Sequence, residues 1–193
     1  MKHLTTSAIL SMILAAPVLA NDIGDIKNPN SIFVGVGHGN VAFDFQVDGM
    51  AKNDDRTGEI EFSGYRYRMN NVWAVDARYI NGKPGLFSGL FHSSSEVNFD
   101  ARVISAQAQH KLSQRWSLYG NLGLNHYDWD IVTSSENGNV ERQTLQKENG
   151  VGLFAAAGAK VEWERVEISF DYQILKMDDL DADFFSLAVG FKF

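Results

Sequence analysis

Phe184-Phe185-Ser186-Leu187-Ala188-Val189-Gly190-Phe191-Lys192-Phe193, the final ten residues, decide the fold. Phe185, Leu187, Val189, Phe191 and Phe193 occupy alternate positions, and the residues between them are smaller or more polar, Phe184 excepted. Successive side chains of a strand point to opposite faces, so this stretch predicts a strand whose apolar face runs to its last residue. Such a face must be covered by a second protein layer or by lipid.

The same period of two recurs along the chain and predicts eight strands, at 31–45, 57–69, 72–86, 97–112, 115–130, 148–162, 165–177 and 183–193. Their connections alternate in length. Residues 69–72, 112–115 and 162–165 leave room only for tight turns, whereas 46–56, 87–96, 131–147 and 178–182 are longer and rich in Gly, Asn, Asp and Ser. Short turns alternating with long loops, on an even number of strands, predict an all-β fold: an eight-stranded antiparallel up-and-down transmembrane β-barrel.

The strand faces differ in chemistry. Trp73, Val75, Ala77 and Tyr79 alternate with Ala74, Asp76 and Arg78, and Val166, Ile168, Phe170, Tyr172 and Ile174 alternate with Glu167, Ser169, Asp171 and Gln173. A soluble barrel would turn the apolar set inward. Trp73, Trp116 and Trp163 argue for lipid outside, since each lies beside a short turn on the apolar phase, as an interfacial aromatic girdle requires. Tyr79, Tyr127 and Trp129 are expected to form the girdle at the opposite rim. On this assignment an arginine at Leu122 or Leu187 costs roughly 2–4 kcal/mol and one at Asn121 much less. Two strands change phase: Ile60 and Phe62 against Tyr65, Tyr67 and Met69, and Val97, Phe99, Ala101 and Val103 against Ile104, Ala106 and Ala108. Either bulges near Gly64 and Val103 restore the alternation, or the upper strand ends project beyond the bilayer.

The amino terminus predicts export. Lys2 and His3 precede an apolar stretch from Leu4 to Leu19, and Val18-Leu19-Ala20 suits a signal peptidase, so residues 1–20 are expected to be a cleaved signal peptide and 21–193 the barrel domain. Loss of Lys2 takes the formal net charge from −7 to −8. An acidic chain is a poor match for nucleic acid or heparin-like polyanions, which need clustered Lys and Arg. With no cysteine, burial or bilayer insertion must supply the stability.

Arg115-Trp116-Ser117-Leu118-Tyr119-Gly120-Asn121-Leu122-Gly123-Leu124, then Gly158-Ala159-Lys160-Val161-Glu162-Trp163 leading to Phe170-Asp171-Tyr172, and the closing strand carry a family likeness. The whole mature chain resembles the small eight-stranded outer-membrane barrels, such as the transmembrane domain of OmpA and the OmpX/Ail group. The resemblance implies a place in the outer membrane of a Gram-negative cell, in contact with outer-membrane lipid and lipopolysaccharide. It also implies a β-signal of Phe185, Leu187, Val189, Phe191 and Phe193, read by the barrel-assembly machinery. Members include structural proteins, adhesins and serum-resistance factors.

Candidate functional residues follow from the strand faces. Asp76, Arg78, Lys160, Glu162, Glu167 and Asp171 fall on polar phases and are expected to pair within the lumen, because the interior of an eight-stranded barrel is just filled by side chains. That favours a plugged barrel over a small diffusion pore. For a lipid-modifying enzyme, His92-Ser93-Ser94-Ser95-Glu96 has the right residue types, but sequence neighbours diverge and make a poor triad; His126 and Asp128 share a face without a serine. No cofactor or metal spacing stands out. Leu86, Phe87, Leu90 and Phe91 place large apolar groups in a connection that should meet water, a candidate patch for a host or envelope partner. The expected role is non-enzymatic and structural or adhesin-like, through the loops.

Overall fold

The computed structural model describes the backbone of residues 27–47, 50–84, 95–134 and 142–193, and side chains over 27–42, 58–82, 98–130 and 147–193. Eight strands follow one another: β1 (Asn30–Val47), β2 (Met50–Arg68), β3 (Trp73–Pro84), β4 (Ser95–Lys111), β5 (Trp116–Ser134), β6 (Arg142–Trp163), β7 (Val166–Met177) and β8 (Leu180–Lys192). Each pairs antiparallel with its sequence neighbours, and β8 closes on β1 from Ser31↔Lys192 to Phe43↔Leu180. Closure leaves no unpaired edge, which the hydrocarbon of a bilayer would not tolerate. No helix among the described residues is long and apolar enough to cross a membrane.

The short turns have local causes. In the β2–β3 turn the Asn70 side chain accepts from the backbone N–H of Val72 and Trp73, at 2.8 and 2.7 Å. In the β4–β5 turn Ser113 Oγ accepts from the N–H of Trp116 at 3.1 Å. These side chains replace carbonyl partners that a sharp reversal removes. The β6–β7 turn places Glu164 in the left-handed region, φ 43°, and the β7–β8 turn does the same with Asp178, φ 56°.

Three of the expected long loops are largely strand. β1 and β2 stay paired as far as Val47↔Met50, β5 and β6 as far as Ser134↔Arg142, and β7 and β8 as far as Met177↔Leu180, so 46–56, 131–147 and 178–182 are mostly ladder. Polar sequence can continue a ladder outside the bilayer, where backbone pairing is still satisfied and no apolar face is demanded. At about 3.3 Å per residue and a tilt near 40°, the 22 residues of β6 rise roughly 55 Å, about twice the ~25 Å apolar band of such barrels.

No bulge occurs at Gly64 or Val103. Register runs unbroken through Phe33↔Gly64↔Arg78 and through Arg78↔Val103↔Asn125, and the register shift among the described pairs lies between Ile131 and Val132. The phase changes are therefore real, and both faces exchange character. On β2, Arg68 and Arg66 point inward low in the barrel and Phe62 and Ile60 point inward above them, while outward Met69, Tyr67 and Tyr65 give way to Ser63 and Glu61. β4 repeats this with inward Gln107 and Ser105 below Val103, Ala101 and Phe99, and outward Ile104 below Arg102 and Asp100. β8 repeats it again, with inward Lys192 and Ser186 below Phe184 and Leu180, and outward Leu187 and Phe185 below Asp183. The lower barrel is apolar outside and polar inside; the upper barrel is built like a soluble protein.

Candidate functional site

The lower lumen is organised by Asp76 and Arg66, which sit directly across the β2–β3 ladder. Asp76 is fully buried and accepts from Arg66 Nε at 2.8 Å and Nη2 at 3.0 Å, from Arg78 Nη2 at 2.8 Å and from Asn121 Nδ2 at 3.1 Å. Arg66 Nη1 reaches across the barrel to Glu167 Oε1 at 2.7 Å. A buried carboxylate is tolerable only when its lone pairs meet donors, and here four donors surround it.

A second cluster centres on Asp171, which accepts from Tyr119, from Ser186 and from Gln173 Nε2, the last at 2.9 Å. Gln173 also accepts from Arg78 Nη1 at 3.3 Å, so the two clusters form one network. Near the short-turn end Glu162 receives Arg68 Nη2 at 2.5 Å, with Lys192 Nζ at 3.5 Å and Lys160 Nζ at 3.9 Å.

The structure thus places Asp76, Arg78, Lys160, Glu162, Glu167 and Asp171 in the lumen, but they pair largely through residues outside that set. Arg66, Arg68 and Lys192 supply most of the cationic contacts. Their signal was in the sequence: Arg66 and Arg68 alternate with Tyr65, Tyr67 and Met69, and Lys192 with Phe191 and Phe193. Asn121 is also not a tolerant site, because it is fully buried between Gln107, 3.0 Å away, and Asp76.

Above the network sits an apolar plug. Ile60, Ile80, Phe99, Trp129, Phe154, Leu175, Met177, Leu180 and Phe184 are all at most 2% exposed, which closes the lumen at this level. The two layers meet at Phe33 and Phe154. Arg66 and Arg78 lie over the Phe33 ring at 5.1 and 5.3 Å, and Arg78 also lies over Phe154 at 5.1 Å, so the guanidinium faces cover the underside of the plug.

Tyr127 and Trp129 belong to that plug, which corrects their place in the outer girdle. Both share the inward phase of β5 with Ser117, Tyr119 and Asn121, and at this height the outward phase carries His126, Asp128 and Asp130. Trp116 and Trp163 project outward, 53% and 44% exposed, and Trp73 is half-buried beside them. At the opposite limit of the apolar surface, Tyr79 donates to Asp100 at 2.5 Å and Tyr172 to Asp183 at 2.7 Å. Phenols joined to carboxylates at the edge of an apolar band are suited to the headgroup layer.

Phe185, Leu187, Val189, Phe191 and Phe193 all project outward, 44–57% exposed. Leu86, Phe87, Leu90, Phe91 and the run from His92 to Ser94 lie outside the described residues, as do residues 1–20. His126 and Asp128 sit on the outer surface above the apolar band. Among the described residues no group of His, Asp and Glu side chains comes together as a metal site.

A continuous outward apolar band, bounded by tryptophans at one limit and tyrosines at the other, on a closed eight-stranded barrel, requires a lipid solvent. Residues 6–193 match the outer membrane protein beta-barrel domain family. The chain belongs to that family. Among solved structures this outer-membrane barrel is similar to neisserial surface protein A, with a TM-score of 0.65, 13% identity and coverage of 86% of this chain and 97% of that one. It is similar to Ail, the attachment invasion locus protein of Yersinia pestis, with a TM-score of 0.57, 24% identity and coverage of 87% and 100%. OprG of Pseudomonas aeruginosa matches with a TM-score of 0.56, 14% identity and coverage of 89% and 99%. No curated protein matches the chain.

Proposed function

We propose that this outer-membrane β-barrel is a non-enzymatic, non-conducting envelope protein that acts at the cell surface through its upper end, after export and cleavage behind Ala20. The observation that carries this reading is the doubly closed lumen. A pore needs a wet path, but an ion-paired layer is capped here by an apolar one, and water or ions would have to displace both. Catalysis needs a nucleophile beside a base, but the lumenal hydroxyls of Tyr119 and Ser186 are bound to the structural carboxylate Asp171, and the described histidines, His38, His110 and His126, are all exposed on the outer surface, away from the buried serines.

What remains available is the projecting upper barrel and its connections, including the candidate patch at Leu86, Phe87, Leu90 and Phe91. The attachment and invasion role named for Ail, and the surface location named for the neisserial protein, support a surface role on the same scaffold. One Ail structure holds the heparin analogue sucrose octasulfate. Among the described residues the outward upper face is acidic, with Glu59, Glu61, Asp100, Asp128, Asp130, Asp181 and Asp183 outnumbering Arg102, Lys147 and Lys176, so a polyanion is not the partner we propose.

Planar-bilayer recording, lipid A profiling and cell-binding assays with 85–94 deleted test the reading together. It predicts no steady conductance, an unaltered acyl pattern and reduced surface binding. Steady openings would establish a pore, and a changed acyl pattern would establish an enzyme.

A further inference from the structure

Above the bilayer the β5–β6 hairpin outgrows its neighbour and leaves one edge of β6 open. β6 begins at Arg142 and runs paired with β5, but its ladder with β7 starts only at Leu153↔Lys176, because the β7–β8 hairpin turns back at Met177↔Leu180. Register decides which backbone groups this exposes. The N–H of Glu162 donates to Arg115 O, so even-numbered residues of β6 address β5 and odd-numbered ones address the β7 side, a parity that holds up to the register shift above Lys147. The N–H and C=O of Lys147, Asn149 and Val151 therefore point to where β7 has ended, with no strand among the described residues to receive them. Val151 is level with His126 and the other two stand higher, so this stretch of edge is clear of the apolar band.

The foot of the open edge is anionic. Asp178 and Asp179 are exposed in the β7–β8 turn, and together with Glu148 they are the carboxylates whose charge reaches the Tyr127 phenol. That phenol lies against the edge itself: a Cβ at Gly150, between Asn149 and Val151, would be 2.5 Å from its oxygen. The described cations at this level do not neutralise the foot, since Lys147 stands opposite Asp130 and Lys176 is ion-paired with Asp181.

An open strand edge is completed by another extended backbone, and an anionic foot selects one that carries positive charge. We propose that the edge at Lys147, Asn149 and Val151 binds an extended, lysine- or arginine-bearing segment of a partner protein as an added strand above the β7–β8 turn, a cationic side chain resting over Asp178, Asp179 and Glu148. This rests on the surface role proposed above and supplies its class of partner. A second copy in the same membrane is not that partner. Strands tilt near 40°, so copies related by an axis along the membrane normal would cross at about 80°, too steep for a ladder, and their anionic feet would repel.

The test adds a blocked peptide of alternating threonine and valine, with a lysine at each end, to the full mature chain in nanodiscs. Amide hydrogen exchange is read by NMR and affinity by fluorescence anisotropy. The peptide is expected to slow exchange at Lys147, Asn149 and Val151 and to leave Glu148 and Gly150, already paired with β5, unchanged. Asn149→Pro removes one edge donor where a strand tolerates proline, and lowers affinity roughly tenfold. Asp178→Asn with Asp179→Asn lowers it about three- to fivefold, the worth of exposed ion pairs, and asparagine keeps the left-handed backbone at 178. The same peptide N-methylated at alternate residues does not bind the wild type, which tests the ladder without altering the barrel. A heat-dependent gel shift verifies folding of each variant. Unchanged exchange at the three amides, wild-type affinity in either variant, or binding of the methylated peptide overturns the proposal. These failures leave the surface role standing, because the assay needs no cell, whereas steady conductance would remove that role without altering the amide protection.

Discussion

Phe99 stands opposite Gly82 across the β3–β4 ladder, and its ring fills the space that a side chain at Gly82 would need. A Cβ at Gly82 would lie 2.0, 2.3 and 2.6 Å from three atoms of that ring. The arrangement recurs where Phe33 faces Gly64 and Phe62 faces Gly35. The upper plug is therefore assembled from aromatic rings laid over bare backbone, which lets a narrow barrel hold large side chains. Gly82→Ala is expected to cost about 1–3 kcal/mol through overpacking. Phe99→Leu in the same chain should return part of that loss, giving a coupling of roughly 0.5–3 kcal/mol in a double-mutant cycle read by urea unfolding in vesicles. Strict additivity would show that the ring does not occupy this space.

Removal of Arg66 should be among the most damaging lumenal changes. Arg66→Leu strands Glu167 and leaves Asp76 to Arg78 and Asn121, and loss of one partner from a buried ion pair costs about 3–5 kcal/mol. Arg66→Lys should recover only part, because an ammonium cannot replace the two parallel bonds to Asp76. Equilibrium unfolding in vesicles checks both; a lysine variant as stable as wild type would contradict the paired geometry.

The exchange of face chemistry predicts opposite outcomes two residues apart. Arginine at outward Leu124 should cost roughly 2–4 kcal/mol, whereas arginine at outward His126, above the band, should cost about 0–1 kcal/mol. Asn121→Arg should also be costly, because Asn121 is packed inside the network. Folding yield and unfolding midpoints separate these cases, and equal costs at 124 and 126 would remove the boundary between them.

The β6–β7 turn holds Glu164 at φ 43°, where a side chain is strained and glycine is not. Glu164→Gly is expected to stabilise the barrel by about 0.5–1 kcal/mol, since relief of the strain exceeds glycine's entropy cost. A lowered urea midpoint would contradict this account of the turn.

Strand number, order and the short turns were legible because a face buried in one medium forces a strict period of two. That period says which residues share a face; it does not say which medium the face meets. Low in the barrel the tryptophans beside the turns supply that missing fact. Higher up nothing local does, so Ile60, Phe62 and Phe99 read as a register fault when they are the apolar side of a part of the barrel raised above the bilayer. Trp129 misleads for a related reason: its position near a strand end suggests a girdle, although its phase, shared with Ser117, Tyr119 and Asn121, points inward. Arg66, Arg68 and Lys192 could have been found by the same phase counting. The cross-barrel contact of Arg66 with Glu167 could not, because it depends on closure of the sheet.

The four tryptophans divide across the central claim, with Trp129 enclosed in the upper lumen and Trp73, Trp116 and Trp163 at the lower outer surface. Single-tryptophan chains in vesicles of brominated phospholipid measure contact with lipid directly. The account predicts strong quenching when Trp116 alone remains and almost none when Trp129 alone remains. Equal quenching of the two, or quenching confined to Trp129, would contradict it.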